Sequence, residues 1–303
     1  MKKILFGVIC FLTFFISVNA LENLAPNSKS AILLETSTGK ILYEANSHEK
    51  LPPASMTKIM SMLLIMEAID NNKLSFDSDV LISENAANMG GSQVFLEAGE
   101  TYKVKDLLKG IAIASGNDAV VAMAEKVGGT VENFVNMMNE KAKSLGLKDT
   151  VFKNPHGLDT EGHYSSAYDM AMIAKELLKH EKILEYTSIY EDYLKKNDGS
   201  STWLVNTNKL VRFYDGVDGL KTGFTSSAKY CVTTTAKKSN MRLLSVVMGA
   251  ENSDLRSKDT TNLLNYGFNT YKLDLIMSKT KILGNVKVEK GKKDNVIHRV
   301  IVV

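Results

Sequence analysis

Apolar residues near both ends of the chain follow strand patterns, whereas the middle of the chain follows helix patterns. Residues 30–46 predict two short strands joined at the turn Thr36-Ser37-Thr38-Gly39, and residues 219–250 return to strand character. Between them, apolar positions recur at helical spacing in residues 55–69, 104–114, 119–127 and 134–145. The first of these segments is rich in methionine and lacks glycine and proline, which predicts a buried helix.

Two further helices complete the pattern. Ser166-Ala167-Tyr168-Asp169 resembles a capping box that opens a helix reaching about residue 184, and another helix is predicted over residues 255–266. Strands at both ends of a helical middle imply one sheet built from distant parts of the chain. The helical region is then a lobe inserted into the domain that carries this sheet.

The first twenty residues have the pattern of a secretory signal peptide. Lys2 and Lys3 precede an almost wholly apolar run, and Ala20 is the small residue that signal peptidase prefers. The run is short for a membrane span of about 20 residues, so we expect cleavage after Ala20 rather than an uncleaved anchor. Cys10 lies inside the run instead of closing it, which argues against lipidation. We therefore expect export across the cytoplasmic membrane, to the periplasm or the outer face of the membrane or cell wall.

The composition of the chain changes near Tyr271. Residues 272–303 contain 8 Lys or Arg and 3 Asp or Glu, whereas residues 21–271 contain 27 and 31. The alternating pattern after Tyr271 predicts two or three short strands, too few to stand alone. We interpret residues 21–271 as the main domain and residues 272–303 as part of a β-rich C-terminal domain, with a hairpin packed on the main domain as the alternative. The sequence shows no C-terminal amphipathic anchor, and association with a membrane stays open.

Charge and residue types exclude several classes of function. The formal charge is +3, of which Lys2 and Lys3 supply two, so the chain has no basic footprint for nucleic acid. After signal cleavage only Cys231 remains, and we expect it to be a buried core thiol. The five histidines are scattered and no Cys/His cluster occurs, so we expect neither a metal nor another cofactor.

The first motif that suggests chemistry is Ser55-Met56-Thr57-Lys58. Residues three apart share one face of a helix, and Ser55 stands at the predicted helix start, just after Pro52-Pro53. Desolvation on an apolar helix would lower the pKa of Lys58 and free its amine to deprotonate the Ser55 hydroxyl. By itself, however, such a tetrapeptide is more often a helix cap and a solvated charge.

Two more motifs follow, with about 60 and 106 residues between the leading positions. Ser115-Gly116-Asn117 interrupts the helical pattern, and a loop at this point can present side chains to a cleft. Lys221-Thr222-Gly223 opens a strand, where a lysine and a threonine can bind a carboxylate and a glycine lets a substrate backbone approach. In isolation, these motifs are a capped loop and a turn before a strand.

The three motifs together are far more specific than each motif alone. The order S-x-x-K, S-x-N, K-T-G is the signature set of the penicillin-recognising serine enzymes. From about residue 30 to its C-terminus, the chain resembles the D-alanyl-D-alanine carboxypeptidases, which are low-molecular-mass penicillin-binding proteins. The further stretches that carry the resemblance are Pro53-Ala54-Ser55, Ser115-Gly116-Asn117-Asp118-Ala119, Asn154-Pro155-His156-Gly157-Leu158, Gly219-Leu220-Lys221-Thr222-Gly223 and Leu263-Leu264-Asn265-Tyr266-Gly267-Phe268.

The resemblance implies a fold and a reaction. The fold is the α/β fold of the β-lactamases and transpeptidases, an antiparallel sheet flanked by helices, with a helical lobe. The reaction removes the terminal D-alanine from peptidoglycan stem peptides that end in D-Ala-D-Ala, in the service of cell-wall biogenesis. A β-lactam copies this end, so it is expected to acylate the same serine and to leave slowly.

Position by position, the resemblance also implies roles in catalysis. Ser55 attacks the D-Ala-D-Ala carbonyl and forms an acyl-enzyme, and Lys58 is its base. Ser115 relays a proton to the departing amine, and Asn117 hydrogen-bonds the substrate amide.

The third motif is implied to hold the end of the substrate. Lys221 and Thr222 bind the terminal carboxylate, beside Gly223, which requires Lys221 to stay charged while Lys58 is neutral. The backbone N–H groups of Ser55 and Phe224 form the oxyanion hole.

Other hydrolases fit the sequence less well. A class A β-lactamase needs a Glu-x-x-x-Asn element, and Glu132 and Asn136 have that spacing but fall on a predicted helix too soon after Ser115, where an exposed helix face is the better interpretation. A Ser-His-Asp hydrolase lacks its G-x-S-x-G elbow here, and His156 is more consistent with a structural loop than with a base. An endopeptidase or transpeptidase with the same motifs remains open, because the choice of substrate depends on the shape of the cleft.

A non-enzymatic alternative is a penicillin sensor or a cell-wall-binding module. Such a protein could keep Ser55 but would not need an apparatus for deacylation. All motif positions are intact, which favours an enzyme. Asp169 and Arg256 are interpreted as structural, the first as a helix cap and the second as a charge on a helix surface.

Overall fold

The computed structural model describes residues 23–274, 282–287 and 295–299. The strands are β1 (Ser30–Glu35), β2 (Ile41–Ala45), β3 (Asp79–Leu81), β4 (Thr101–Lys103), β5 (Glu191–Lys195), β6 (Ser201–Val205), β7 (Val217–Thr225), β8 (Lys229–Lys238), β9 (Met241–Ala250), β10 (Ile282–Lys287) and β11 (Asn295–Arg299). The helices are α1 (Lys58–Asp70), α2 (Glu84–Ala87), α3 (Val104–Ala114), α4 (Asn117–Gly128), α5 (Val131–Ser144), α6 (Ala167–Leu177), α7 (Leu184–Thr187), α8 (Leu210–Phe213) and α9 (Ser253–Thr270), with 3-10 turns at Ala54–Thr57 and Glu181–Ile183. The predicted signal peptide lies outside the described residues.

The main sheet joins the two ends of the described domain, as the sequence predicts. Its strand order is β2-β1-β9-β8-β7, and every neighbouring pair is antiparallel. Strands from before the helical segment therefore lie directly beside strands from after it. β7 is an edge strand of this sheet. The third motif lies inside β7 and does not open the strand as predicted, because pairing with β8 begins four residues earlier, at Val217.

Both faces of the sheet are covered along β1, so this strand lacks an exposed face. Along β1, Ile32 and Leu34 belong to the core shared with the helical lobe, while Ala31 and Leu33 belong to the core under α9. This division follows from the alternation of side chains along a strand. All six residues of β1 are buried, which explains its nearly continuous apolar sequence.

Helix α1 passes through the larger core and has almost no exposed face. Ten of its thirteen residues are buried, and its neighbours include α4, α5 and α6. A helix that is surrounded on all sides needs no polar stripe, which explains the almost wholly apolar sequence of residues 59–66. Its polar residue, Ser61, is buried and donates to the Pro155 carbonyl oxygen. The predicted buried helix is confirmed, although its first turn is a 3-10 turn.

Two predicted helices have different ends from those expected. Helix α6 begins at the Ser166 cap but ends at Leu177, because the chain leaves helical geometry at His180 (φ −93°, ψ 70°), whose ring is bonded to Asp70 at the end of α1. Helix α9 continues to Thr270, since Gly267 packs against Leu243 instead of ending the helix.

Asp169 is structural, but it is only half of the expected capping box. Its backbone N–H donates to the Ser166 hydroxyl, whereas its carboxylate accepts from the N–H of Asp149 and the hydroxyl of Thr150. The side chain thus ties the start of α6 to the 149–150 loop.

β10 and β11 pair as an antiparallel hairpin. The assignment of residues 272–303 to a separate β-rich domain stays a prediction. Within the part of the chain that the structure describes, no helix has the length and apolar character to cross a membrane.

The loop at Gly157 is expected to be intolerant of a side chain. A Cβ on Gly157 would lie 1.8 Å from the Ala54 carbonyl oxygen, and its φ of +90° disfavours other residues. We expect Gly157→Ala to lower the free energy of unfolding by more than about 3 kcal/mol in urea titrations.

Gly146→Ala is the matched control, because Gly146 has φ +73° but no atom within 4 Å of its Cβ position. That variant should lose only about 1–2 kcal/mol, the cost of the left-handed backbone alone. Equal losses in the two variants would show that the contact with Ala54 is not important.

Candidate active site

Ser55 is the second residue of the 3-10 turn that leads into α1. Ala54, immediately before it, is completely buried with φ +48°, a conformation that costs energy for a residue with a Cβ. The turn holds the half-buried Ser55 so that its Oγ lies 3.0 Å from Lys58 Nζ. The sequence-predicted pair is therefore in hydrogen-bond contact.

Lys58 is fully buried, yet its amine has three oxygen neighbours. Nζ lies 2.7 Å from Asn117 Oδ1, 2.8 Å from the His156 carbonyl oxygen and 3.0 Å from Ser55 Oγ. The first two atoms can only accept hydrogen bonds, whereas the serine hydroxyl can also donate. A neutral amine satisfies this arrangement by donating twice and accepting the proton of Ser55 Oγ with its lone pair.

Electrostatics favours that neutral form. Burial is the largest cause that lowers the pKa of Lys58 well below its usual value, and the nearby charge of Lys221 adds to it. The carboxylate of Asp118 opposes the shift. The amine has the position and, in its neutral form, the free lone pair to take the Ser55 proton.

The second motif closes one side of the site. Helix α3 ends at Ala114, and Ser115 reverses the chain with φ +65°, so that Asn117 begins α4. The hydroxyl of Ser115 is buried and has no hydrogen-bond partner among the described residues. A buried hydroxyl without a partner is rare and suggests a function that another molecule completes.

Asn117 is held firmly by its surroundings. Its side-chain amide donates to the Gly90 carbonyl oxygen at 2.7 Å while its Oδ1 accepts from Lys58, and its backbone N–H donates to Ser92. The buried carboxylate of Asp118 accepts from the N–H groups of residues 94 and 96 and fixes the same loop. Asn117 therefore links the loop at 90–96 to the amine.

The third motif lies against the nucleophile. A Cβ on Gly223 would lie 2.8 Å from the Pro53 carbonyl oxygen and 3.1 Å from Ser55 N, so the glycine is required by the approach of the 3-10 turn. The sequence had suggested a different reason for this glycine, namely the approach of a substrate backbone. The side chain of Phe224 is 54% exposed and packs on Tyr230, with ring centroids 4.4 Å apart.

Lys221 is buried but weakly bonded. Its Nζ lies 3.3 Å from the Thr222 carbonyl oxygen and 3.5 Å from Thr207 Oγ1. Burial first, and the charge of Arg256 second, lower the pKa of Lys221 to about 7. A bound anion would reverse part of this shift, since it stabilises the charged lysine.

The position of Arg256 differs from the one predicted from the sequence. It is only 6% exposed, not a charge on a helix surface, and it is close enough to influence Lys221. Its position in the chain carried a signal, because it shares the buried face of α9 with residues at helical spacing: Asp259, Thr260, Leu263, Leu264 and Gly267. Thr207 is a second residue of the site that the sequence analysis missed, and no motif marks it.

The residues considered for other hydrolase mechanisms are not placed or charged for catalysis at Ser55. Glu132 and Asn136 are exposed on α5. The ring of His156 accepts from the N–H of Leu158, and burial lowers its pKa to about 3, so it contributes a backbone carbonyl rather than a base. Cys231 is a buried core thiol, as expected. Within the described residues, no group of three or more His, Cys, Asp or Glu could hold a metal ion.

Known proteins resemble this chain over most of its length. Residues 17–252 match the family model of the D-alanyl-D-alanine carboxypeptidases, peptidase family S11. The D-alanyl-D-alanine carboxypeptidase DacF of Bacillus subtilis is 57% identical over 90% of this chain and 70% of its own length.

Solved structures show the same fold. Penicillin-binding protein 5 of Haemophilus influenzae is 34% identical, with a TM-score of 0.79 over 89% of this chain and 79% of that protein. Penicillin-binding protein D2 of Listeria monocytogenes, in its ampicillin-bound form, is 32% identical, with a TM-score of 0.71 over 80% of this chain and 98% of that one.

The pKa of Lys58 can be measured directly by NMR titration of lysines labelled with ¹³C at Cε. We expect Lys58 to titrate well below 10.5, because burial disfavours its charged form. Lys105 is the internal control, since its pKa is raised by the hydrogen bond and charge of Asp77. A Lys58 signal that titrates together with Lys105 would exclude the neutral amine.

Proposed function

The chain belongs to the D-alanyl-D-alanine carboxypeptidase family, and we propose that it removes the terminal D-alanine from peptidoglycan stem peptides with Ser55 as its nucleophile. The observation that carries this proposal is the contact between Ser55 Oγ and the buried amine of Lys58. This pair lies beside an edge strand that contains a buried, weakly bonded lysine.

The acylation step starts with the proton of Ser55. As Oγ attacks the carbonyl carbon of the penultimate D-Ala, its proton moves to Lys58 Nζ. Collapse of the tetrahedral intermediate breaks the C–N bond, and the proton passes from Lys58 through the hydroxyl of Ser115 to the leaving amine. The hydroxyl of Ser115, which has no hydrogen-bond partner in the described part of the chain, supports this relay, because it can both accept and donate.

Deacylation uses the same groups in the reverse sense. Water attacks the ester on Ser55, Lys58 accepts the proton of this water, and Oγ takes a proton back as the ester bond breaks. The negative oxygen of each tetrahedral intermediate is stabilised by the backbone N–H groups of Ser55 and Phe224. The close packing of Gly223 on Ser55 N supports this assignment, since it holds the two segments together.

The substrate peptide would extend β7 at its free edge. An edge strand presents unpaired backbone groups that an extended peptide can use. The terminal carboxylate would then lie at Lys221 and Thr222, and the amide of the stem peptide at Asn117. The requirement for an anion at Lys221 explains why a free carboxylate must end the substrate.

β-Lactams are proposed as inhibitors on the same ground. They offer a strained carbonyl to Ser55 and a carboxylate to Lys221, and related proteins are known in an ampicillin-bound form. Peptidoglycan lies outside the cytoplasm, which agrees with the predicted signal peptide and supports a location in the periplasm or at the cell wall.

The function is tested by incubating the purified chain from Leu21 with a diacyl-L-Lys-D-Ala-D-Ala tripeptide and with a fluorescent penicillin. We expect release of D-Ala and covalent labelling, and Ser55→Ala should lose both. Lys58→Ala should slow acylation by roughly 10²–10⁴-fold, since it removes the base.

The control is Ser144→Ala, since the Ser144 hydroxyl is an exposed donor at the end of α5. This variant should behave as the wild type does. Labelling without release of D-Ala would instead support an endopeptidase that requires cross-linked substrate, or a penicillin sensor. Normal acylation of the Lys58 variant would exclude this lysine as the base.

A further inference from the structure

Thr207 is an exposed residue whose two neighbours in the chain are held in place by hydrogen bonds of their buried side chains. It lies between Asn206 and Asn208, whose side chains are both buried. The amide of Asn206 donates to the carbonyl oxygens of residues 187 and 189, and that of Asn208 donates to the Gly219 carbonyl oxygen and Thr234 Oγ1. The backbone N–H of Thr207 donates to the Ile113 carbonyl oxygen. This short segment is thus fixed both to α3 and to the main sheet.

The hydroxyl of Thr207 faces two groups of the third motif. Thr222 Oγ1 donates to Thr207 Oγ1 at 2.6 Å, and Lys221 Nζ lies 3.5 Å from the same oxygen. Among the described residues, the Thr222 carbonyl is the other oxygen near this ammonium, at 3.3 Å. Both contacts of Lys221 are long, so its ammonium is weakly satisfied in the free protein. The Thr207 oxygen lies where this ammonium and the Thr222 hydroxyl converge.

We propose that Thr207 is a positioning residue, whose oxygen holds the Thr222 hydroxyl and the Lys221 ammonium in the geometry that receives the terminal carboxylate of the substrate. This inference rests on the proposed function. The substrate carboxylate adds to this arrangement without displacing Thr207. The Lys221 ammonium has three N–H bonds, and the Thr222 hydroxyl turns its proton to the carboxylate while it accepts from the Thr207 hydroxyl. Thr207 then acts on substrate binding and takes no part in the transfer of protons at Ser55.

The test compares Thr207→Val with Thr207→Ser. Valine keeps the shape of threonine but removes the hydroxyl, so we expect KM for the D-Ala-D-Ala tripeptide to rise by about 3- to 10-fold. The value of kcat should change by less than about twofold, because Ser55 and Lys58 are untouched. Serine restores the hydroxyl and should restore KM.

Thr202→Val is the matched control on the preceding strand, where the hydroxyl bonds to the Val94 carbonyl oxygen. It should leave both constants unchanged. An unchanged KM in Thr207→Val, or a loss confined to kcat, would overturn the proposal. A failure of Thr207→Ser to restore KM would do the same.

Acylation by the fluorescent penicillin separates this inference from the proposed function. Its carboxylate uses the same donors, so Thr207→Val should need about 3- to 10-fold more penicillin for half-maximal acylation rate, with an unchanged maximal rate. If the wild type is acylated by penicillin but releases no D-Ala, the proposed function is wrong. The comparison of penicillin concentrations for wild type and Thr207→Val still tests the role of Thr207. Identical penicillin curves for the two proteins would refute the role of Thr207.

Discussion

The site depends on burying one primary amine inside an apolar helix. An ammonium in such a place would be costly without compensation, and this cost keeps Lys58 neutral, and so able to accept a proton, beside Ser55. Two pure acceptors and one hydroxyl satisfy a neutral amine, and they come from three separate segments of the chain. The arrangement of α1, α4 and the loop at 154–158 can be understood as the support for these three contacts.

The second lysine has the opposite requirement in a similar environment. Lys221 is also buried and near the positive charge of Arg256, but its hydrogen bonds are long. The carboxylate of a substrate supplies the strong hydrogen-bond acceptor that the folded protein lacks at Lys221. Substrate binding and the charged state of Lys221 therefore stabilise each other. The two lysines also act on one another, because the charge of Lys221 helps to keep Lys58 neutral.

The sequence predicted the parts of this structure that have a local signature. The sheet made of both ends of the main domain, the buried helix α1 and the approach of Lys58 to Ser55 and Asn117 follow from periodicity and from the three motifs. The early end of α6 could not be predicted, because it depends on a contact between His180 and a residue 110 positions away. The roles of the His156 carbonyl and of Thr207 could not be predicted for a related reason. A backbone oxygen and an isolated threonine leave no motif in the sequence, and only the tertiary structure brings them to the site. Arg256 was assigned to the surface although its spacing along α9 agreed with burial.

The order of the strands has a consequence for the time at which the enzyme becomes active. β1 cannot complete its pairing until β9 is present, and Ser55 meets the third motif only when residues more than 160 positions later have folded. Contacts between such distant segments slow folding, because the intervening loop must close first. The active site of a chain with this topology cannot assemble while the C-terminal half is still being synthesised or translocated. The predicted signal peptide implies export, and a chain exported in extended form would gain its activity only after it had reached the compartment of its substrate.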